Sequence, residues 1–365
     1  MPESIMIHLK YICLFVASIL LISLSNAAET NIPKRSVTDL AGHKITVPDQ
    51  INHIACLEVL CYQKLFMLGE SQRISQMVMT NAPWMEITNP AVKQIHKVIG
   101  EANIEDLLAR KTELIFYRYN AEQVAAIYAR AGIPALYSQP LTKQSETAEE
   151  FLESQRQAIR LFANALNTTK AHERAEAWVK YHDDKVAFVK NRLRNLPTQE
   201  KLRVYYLRGP DALSTQGRGS NTFWYGELAG ANMVTKRQGT MLGKGAITME
   251  DMVRWDPQVI FVGRQYAVSL VTKDPRWKQI SAVKNHRVYA MPDGVFFWDG
   301  GLEGVLLMEY EAKMLYPEQF SDLDLKVEFR DFYQRFYRYT LSDAESEKLL
   351  SGVSPAGTRI NLMNN

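Results

Sequence analysis

Two stretches decide the fold: IEDLLARKTELIF at residues 104–116 and MEDMVRWDPQVIF at residues 249–261. Each opens with acidic residues on a short amphipathic run, continues through four residues, and ends in an apolar segment, every step at the same offset. Acidic side chains in the first turn of a helix are favoured by its dipole. A short apolar run of β-branched and aromatic residues reads as a buried strand. One helix-then-strand unit used twice predicts two similar α/β lobes.

Around the first copy the pattern is strand, helix, strand. Val37 to Val47 reads as a small hairpin turning at Ala41-Gly42, and Ile51 to Ala55 as a strand. A helix follows from Glu58 to Leu68, stopped by Gly69. Arg73–Val78, Leu114–Tyr117 and Ala135–Tyr137 are further strands, and Ile104–Arg110 and Ala121–Ala131 are helices. Around the second copy, Val204–Leu207, Val259–Val262 and Val288–Ala290 read as strands, with helices at Thr222–Ala229 and Glu303–Tyr316. Alternating helices and short apolar strands predict parallel sheets covered on both faces.

Between the two sets, residues 146–196 contain almost no Gly or Pro. Apolar residues recur at helical spacing, Asn167-Thr168-Thr169 interrupts them, and Pro197 ends the run. The second of these helices, Lys170 to Leu193, is roughly 36 Å long at 1.5 Å per residue, enough to brace two lobes. The expected organisation is a leader at 1–27, an N-terminal lobe at 51–140, linking helices at 146–196, a C-terminal lobe at 201–320 and a helical extension at 321–365. The aromatic run Phe329 to Tyr339 is placed on the outside of the lobes.

Parallel sheets bind ligands beyond the carboxyl ends of their strands. Three strands end near an arginine, at Arg118, Arg208 and Arg264. A guanidinium is always charged and presents a planar fork of donors suited to anionic oxygens. Aromatic residues beside them, Tyr117, Tyr119 and Tyr266, with Trp84, Trp224 and Trp298 on loops, are expected to wall the site. His96 is the one imidazole considered as a metal ligand, against the simpler reading of a surface histidine. Phe296, Phe297 and Trp298 in the last loop cannot ligate a metal.

These residues together resemble the Fe/B12-type periplasmic substrate-binding proteins of ABC importers. The resemblance rests on Gly100 with Asn103-Ile104-Glu105, Gly132-Ile133-Pro134, Ser214-Thr215 through Gly219-Ser220, Leu228 to Asn232, Thr248-Met249-Glu250, Pro257 to Phe261 and Val288 to Pro292, in that order over about residues 51–320. It implies two doubly wound α/β lobes joined by one rigid helix, the class III architecture. It also implies capture of a metal chelate, a ferric siderophore first, with nickel or cobalt chelates, haem or a corrinoid as alternatives. It implies no intrinsic cofactor, a monomer, and delivery to an inner-membrane permease with its cytoplasmic ATPase. Glu105 and Glu250 match the family's permease-docking glutamates.

Composition agrees with export. Lys10, an apolar run from Tyr11 to Leu24 and the small residues Ser25-Asn26-Ala27 have the order of a secretory signal peptide, predicting the periplasm. The run is about 14 residues, short of the roughly 20 a spanning helix needs. A net charge of +3 over 365 residues gives no nucleic-acid signature. No Ser-His-Asp set, nucleophile elbow or phosphate loop is visible, so an enzyme of related fold, built around Cys56, Glu58 and His53, is a remote alternative. A ligand sensor without transport is a third reading. Cys56 at a strand end and Cys61 inside the next helix are expected to be two small buried residues, too far apart to bridge.

Overall fold

A computed structural model describes residues 33–99, 102–118, 121–139, 145–236 and 247–359. The expected leader, Gly100 and Tyr119 lie outside them. Among the described residues no helix is long and apolar enough to cross a membrane.

The N-terminal lobe begins with the hairpin β1 (Lys34–Thr38) and β2 (Lys44–Pro48). Its sheet comprises β3 (Ile54–Leu57), β4 (Ile74–Val78), β5 (His96–Val98), β6 (Leu114–Tyr117) and β7 (Ala135–Tyr137). All are parallel in the order β5-β4-β3-β6-β7. The helices α1 (Cys61–Leu68), α2 (Ile104–Ala109) and α3 (Ala121–Arg130) connect them. The short strand at 96–98 was not predicted, because three residues carry too little periodicity to read.

Two helices follow. Thr147 caps α4 (Ala148–Leu166) by accepting the Glu150 N–H, and Asn167 ends it in the left-handed region at φ 53°. Thr168 then caps α5 (Thr169–Leu193), accepting the Ala171 N–H. The interrupting triplet is therefore a pair of caps placed back to back. Phe116 of β6 stacks on Phe162 of α4 with ring centroids 3.9 Å apart, which fixes the sheet to the linking helices.

The C-terminal lobe repeats the design with β8 (Arg203–Leu207), α6 (Asn221–Leu228), β9 (Asn232–Met233), α7 (Met249–Trp255), β10 (Val259–Val262) and β11 (Val288–Ala290). The sheet is parallel in the order β11-β10-β8-β9. The repeat holds in detail. Leu57 pairs with Tyr117 in the first sheet, and Leu207 pairs with Val262 in the second. Lys111 and Asp256, equivalent in the two copies, both adopt positive φ, at 54° and 40°.

Helices α8 (Gly304–Leu315), α9 (Leu325–Phe332) and α10 (Asp343–Leu350) complete the fold. The aromatic run does not lie outside the lobes, contrary to the sequence reading. Phe329, Phe332, Tyr333 and Tyr337 are buried, Tyr337 stacks on Phe66 of α1 at 5.1 Å, and Tyr181 of α5 meets Phe332 edge-on at 5.5 Å. The segment is amphipathic, with Asp331, Gln334 and Arg335 exposed on its other side, and its aromatic face joins the two lobes to the linking helix.

The two cysteines also correct the sequence reading. Helix α1 starts at Cys61, three residues later than expected, so Leu57 to Leu60 is a tight turn. The turn brings the Cα atoms of Cys56 and Cys61 to 5.4 Å, and the two form a disulfide.

Candidate functional site at the carboxyl edges of the sheets

In the C-terminal sheet the chain leaves β8 toward β9 on one side and β10 toward β11 on the other. The crevice between the carboxyl ends of β8 and β10 is therefore the topological switch point, where such sheets bind ligands. Arg208 directly follows β8, and Arg264 lies two residues beyond β10. Both reach the same carboxylate: Arg208 Nε donates to Asp299 Oδ2 at 2.6 Å and Arg264 Nε to Asp299 Oδ1 at 2.5 Å. Asp299 is fully buried, whereas the arginine side chains are 14% and 20% exposed. The acid thus lies behind the bases. Burial opposes its ionisation, but the two guanidinium groups outweigh burial and hold its carboxyl below the ordinary range. The Arg264 guanidinium also lies over the rings of Phe297 and Phe296, at 4.4 and 5.6 Å from their centroids.

The turn carrying Asp299 is fixed from behind. Glu303, fully buried, accepts the N–H groups of Val295 and Phe296 at 3.2 and 2.8 Å. Gln63 of α1, in the other lobe, donates to Glu303 Oε2 at 2.9 Å and accepts the Leu302 N–H at 2.9 Å. A Cβ on Gly301 would stand 2.4 Å from Gln63 Oε1, so the glycine leaves room for the Gln63 amide. These bonds link α1, which follows β3, to the turn that follows β11. Arg264 and Gln265 are consecutive non-glycine residues in the left-handed region, at φ 55° and 62°. Backbone of that kind persists only where its surroundings hold it, and Gln265 is held by Asp293, to which it donates at 3.0 Å.

The N-terminal edge is built differently. Its switch point lies between β3 and β6. There Glu58, fully buried, accepts the Leu60 N–H at 2.6 Å and pairs with Lys64 at 2.9 Å. Ser138, beyond β7, donates to Glu58 at 3.5 Å. Tyr117 is buried, and burial with nearby Asp39 pushes its hydroxyl up to about 12. It meets Tyr128 and Tyr137 edge-on rather than facing a groove. Arg118 is half-buried at the end of β6.

The aromatic walls expected from sequence are mostly core. Trp84 and Trp298 are fully buried. Trp84 donates to the Val353 carbonyl at 3.3 Å, and Trp298 meets Phe329 edge-on at 5.0 Å. The C-terminal segment that covers them was assigned to the exterior, which is why both were misplaced. Trp224 is buried, donates to the Ser145 carbonyl at 3.1 Å and carries Arg218 at 5.8 Å from its ring, while Tyr266 is half-buried. His96 is exposed on β5, 3.5 Å from Asp106. Among the described residues no group of three His, Cys, Asp or Glu side chains could hold a metal ion. Glu105 and Glu250 are both exposed in the first turns of α2 and α7. The acidic residue after Glu250 serves its own helix, since Asp251 forms a capping box with Thr248.

Sequence reasoning missed Asp299 and Gln63. For Asp299 a signal existed, an acid inside the aromatic and glycine-rich loop Phe296 to Gly301. For Gln63 there was none, since its partners are more than 230 residues away.

The sequence profile of the periplasmic binding protein family matches residues 54–295. The molybdate-binding protein MolA of Haemophilus influenzae is 28% identical over 343 residues, covering 86% of this chain and 94% of its own. YvrC, an ABC transporter substrate-binding lipoprotein of Bacillus subtilis, is 22% identical over 326 residues, covering 85% and 97%. Among solved structures, molybdate-bound MolA superposes with a TM-score of 0.75 at 24% identity over 84% of this chain and 99% of that one. The nickel-histidine complex of Helicobacter pylori CeuE superposes at 0.63 and 19% identity, over 86% and 98%. The two superpositions establish the fold.

Proposed function

The chain belongs to the periplasmic binding protein family, and on that premise we propose that it captures a small oxyanion of the molybdate class at Arg208 and Arg264. It is the extracytoplasmic solute-binding component of an ABC transporter and not an enzyme. The observation that carries the cargo is the pair of arginines ending adjacent strands and bonded to one buried acid. Fixed guanidinium donors suit an anion's oxygens. The relative named for molybdate binding supports the same cargo. A ferric siderophore, the first cargo expected from sequence, is favoured less. Trp84 and Trp298, which would wall a large chelate, belong to the core.

Calorimetric titration of the purified chain with sodium molybdate, sodium tungstate and a ferric catecholate siderophore tests this reading. One-to-one binding of molybdate or tungstate is expected. Binding of the siderophore alone would return the cargo to the chelate class. Delivery is assigned to Glu105 and Glu250, whose exposed carboxylates suit charge-pair docking on a permease. Glu105→Arg with Glu250→Arg is expected to abolish uptake in cells while leaving cargo affinity unchanged. Normal uptake would remove the docking role.

A further inference from the structure

Resting on the reading of Arg208 and Arg264 as the anion site, we infer that Asp299 is its positioning residue, fixing the separation of the two guanidinium groups and thereby selecting oxyanions by size. Two guanidinium groups on neighbouring strands repel each other and tend to splay. Asp299 prevents this by offering one carboxylate oxygen to each Nε. Its place behind the arginines lets it orient them without occupying the partly exposed side they present.

The acid is itself immobilised. The segment before it is bound through the Val295 and Phe296 N–H groups to Glu303, and the segment after it through Leu302 N–H to Gln63. Arg264 has a second constraint. Its guanidinium rests on the Phe297 ring, and its Nη2 would lie 3.0 Å from a Cβ placed on Gly300. Gly300, next to Asp299, thus leaves the space that the guanidinium needs. A site held in this way presents its donors at one spacing. Tetrahedral oxyanions of molybdenum and tungsten are larger than sulfate, so a fixed spacing separates them where a flexible pair of arginines would not.

The test is titration calorimetry of the full chain with sodium molybdate and sodium sulfate, comparing wild type with Asp299→Asn and Gly300→Ala. The amide removes the charge, and at one of the two arginines it sets an N–H donor against another donor. Molybdate affinity is expected to fall at least tenfold in Asp299→Asn, despite the more positive site, and the molybdate-to-sulfate ratio to move toward one. Should Asp299→Asn fail to fold, as judged by its melting curve, Gly300→Ala carries the test. It keeps every charge, displaces Arg264, and is expected to lower the ratio at least threefold. An unchanged ratio in the variants that fold, or tighter molybdate binding in Asp299→Asn with the ratio preserved, would overturn the inference. Arg208→Ala and Arg264→Ala in the same series separate the two readings. If these two lose molybdate while the Asp299 and Gly300 variants behave as wild type, only the positioning role falls. If they bind as wild type, or if wild type binds neither anion, the anion site itself falls and the inference with it.

Discussion

The two switch points make the most instructive comparison in this molecule. They are built on equivalent strands, in equivalent register, yet carry opposite chemistry. The residue after β3 is Glu58 and the residue after β8 is Arg208, each following the leucine that pairs across the crevice. In the N-terminal lobe the charge is cancelled locally by Lys64, six residues on, and the turn is tied by the disulfide from Cys56 to Cys61. In the C-terminal lobe two arginines converge on a carboxylate distant in sequence, that of Asp299. On the proposed reading the C-terminal lobe is the anion receptor, and the N-terminal lobe, with its buried Glu58–Lys64 pair, is the opposing wall. Duplicated scaffolds dictate where a side chain emerges, not what it does.

The comparison can be broken most directly by charge removal on each side. Arg208→Ala combined with Arg264→Ala is expected to weaken molybdate binding at least a hundredfold, on the order of 3 kcal/mol for charge-assisted hydrogen bonds. Arg118→Ala in the other lobe is expected to cost about tenfold or less in the same calorimetric titration. Equal losses would mean that the lobes share the anion.

The disulfide sharpens the contrast in stability. Among the described residues the C-terminal lobe has no counterpart to it, so replacing Cys56 and Cys61 together by Ala should cost about 2 kcal/mol in urea unfolding, the chain entropy of a short closed loop. Arginine-dependent binding should survive. Loss of binding greater than that from Arg118→Ala would show that the N-terminal turn contributes to the receptor.

The smallest expected effect concerns Asp293, which holds Gln265 beside Arg264. Burial, reinforced by the Asp299 carboxylate, pushes its carboxyl up to about 7. The folded protein thus binds this proton more tightly than the unfolded chain does. The stabilisation is complete below the unfolded value near 4 and is lost as pH rises through 7. Asp293→Asn stays uncharged and should flatten the melting temperature between about pH 5 and 8. An unchanged profile would mean that Asp293 is charged throughout.

Much of this architecture was legible in advance. The duplicated helix-strand unit, the bracing helix and most of the strands follow from local periodicity and caps, which a chain writes within short windows of sequence. The arginines were also legible, because strand ends can be located from sequence. The burial of Trp84 and Trp298 was not, since it depends on the C-terminal aromatic run returning to cover them. The disulfide was missed through a three-residue error in one helix start, which changed a turn into a helix.

The sequence by itself determined the two-lobed α/β plan, the linking helix and the charge emerging at each strand end, because these depend on neighbours along the chain. Only the tertiary structure decided which charges meet. Asp299 lies 91 residues from Arg208 and 35 from Arg264, and the strand order places the arginines while the turn held by Glu303 and Gln63 places the acid. Electrostatic and hydrogen-bond partners are chosen by proximity in space, and that proximity is set by sheet topology together with the turn that Glu303 and Gln63 hold.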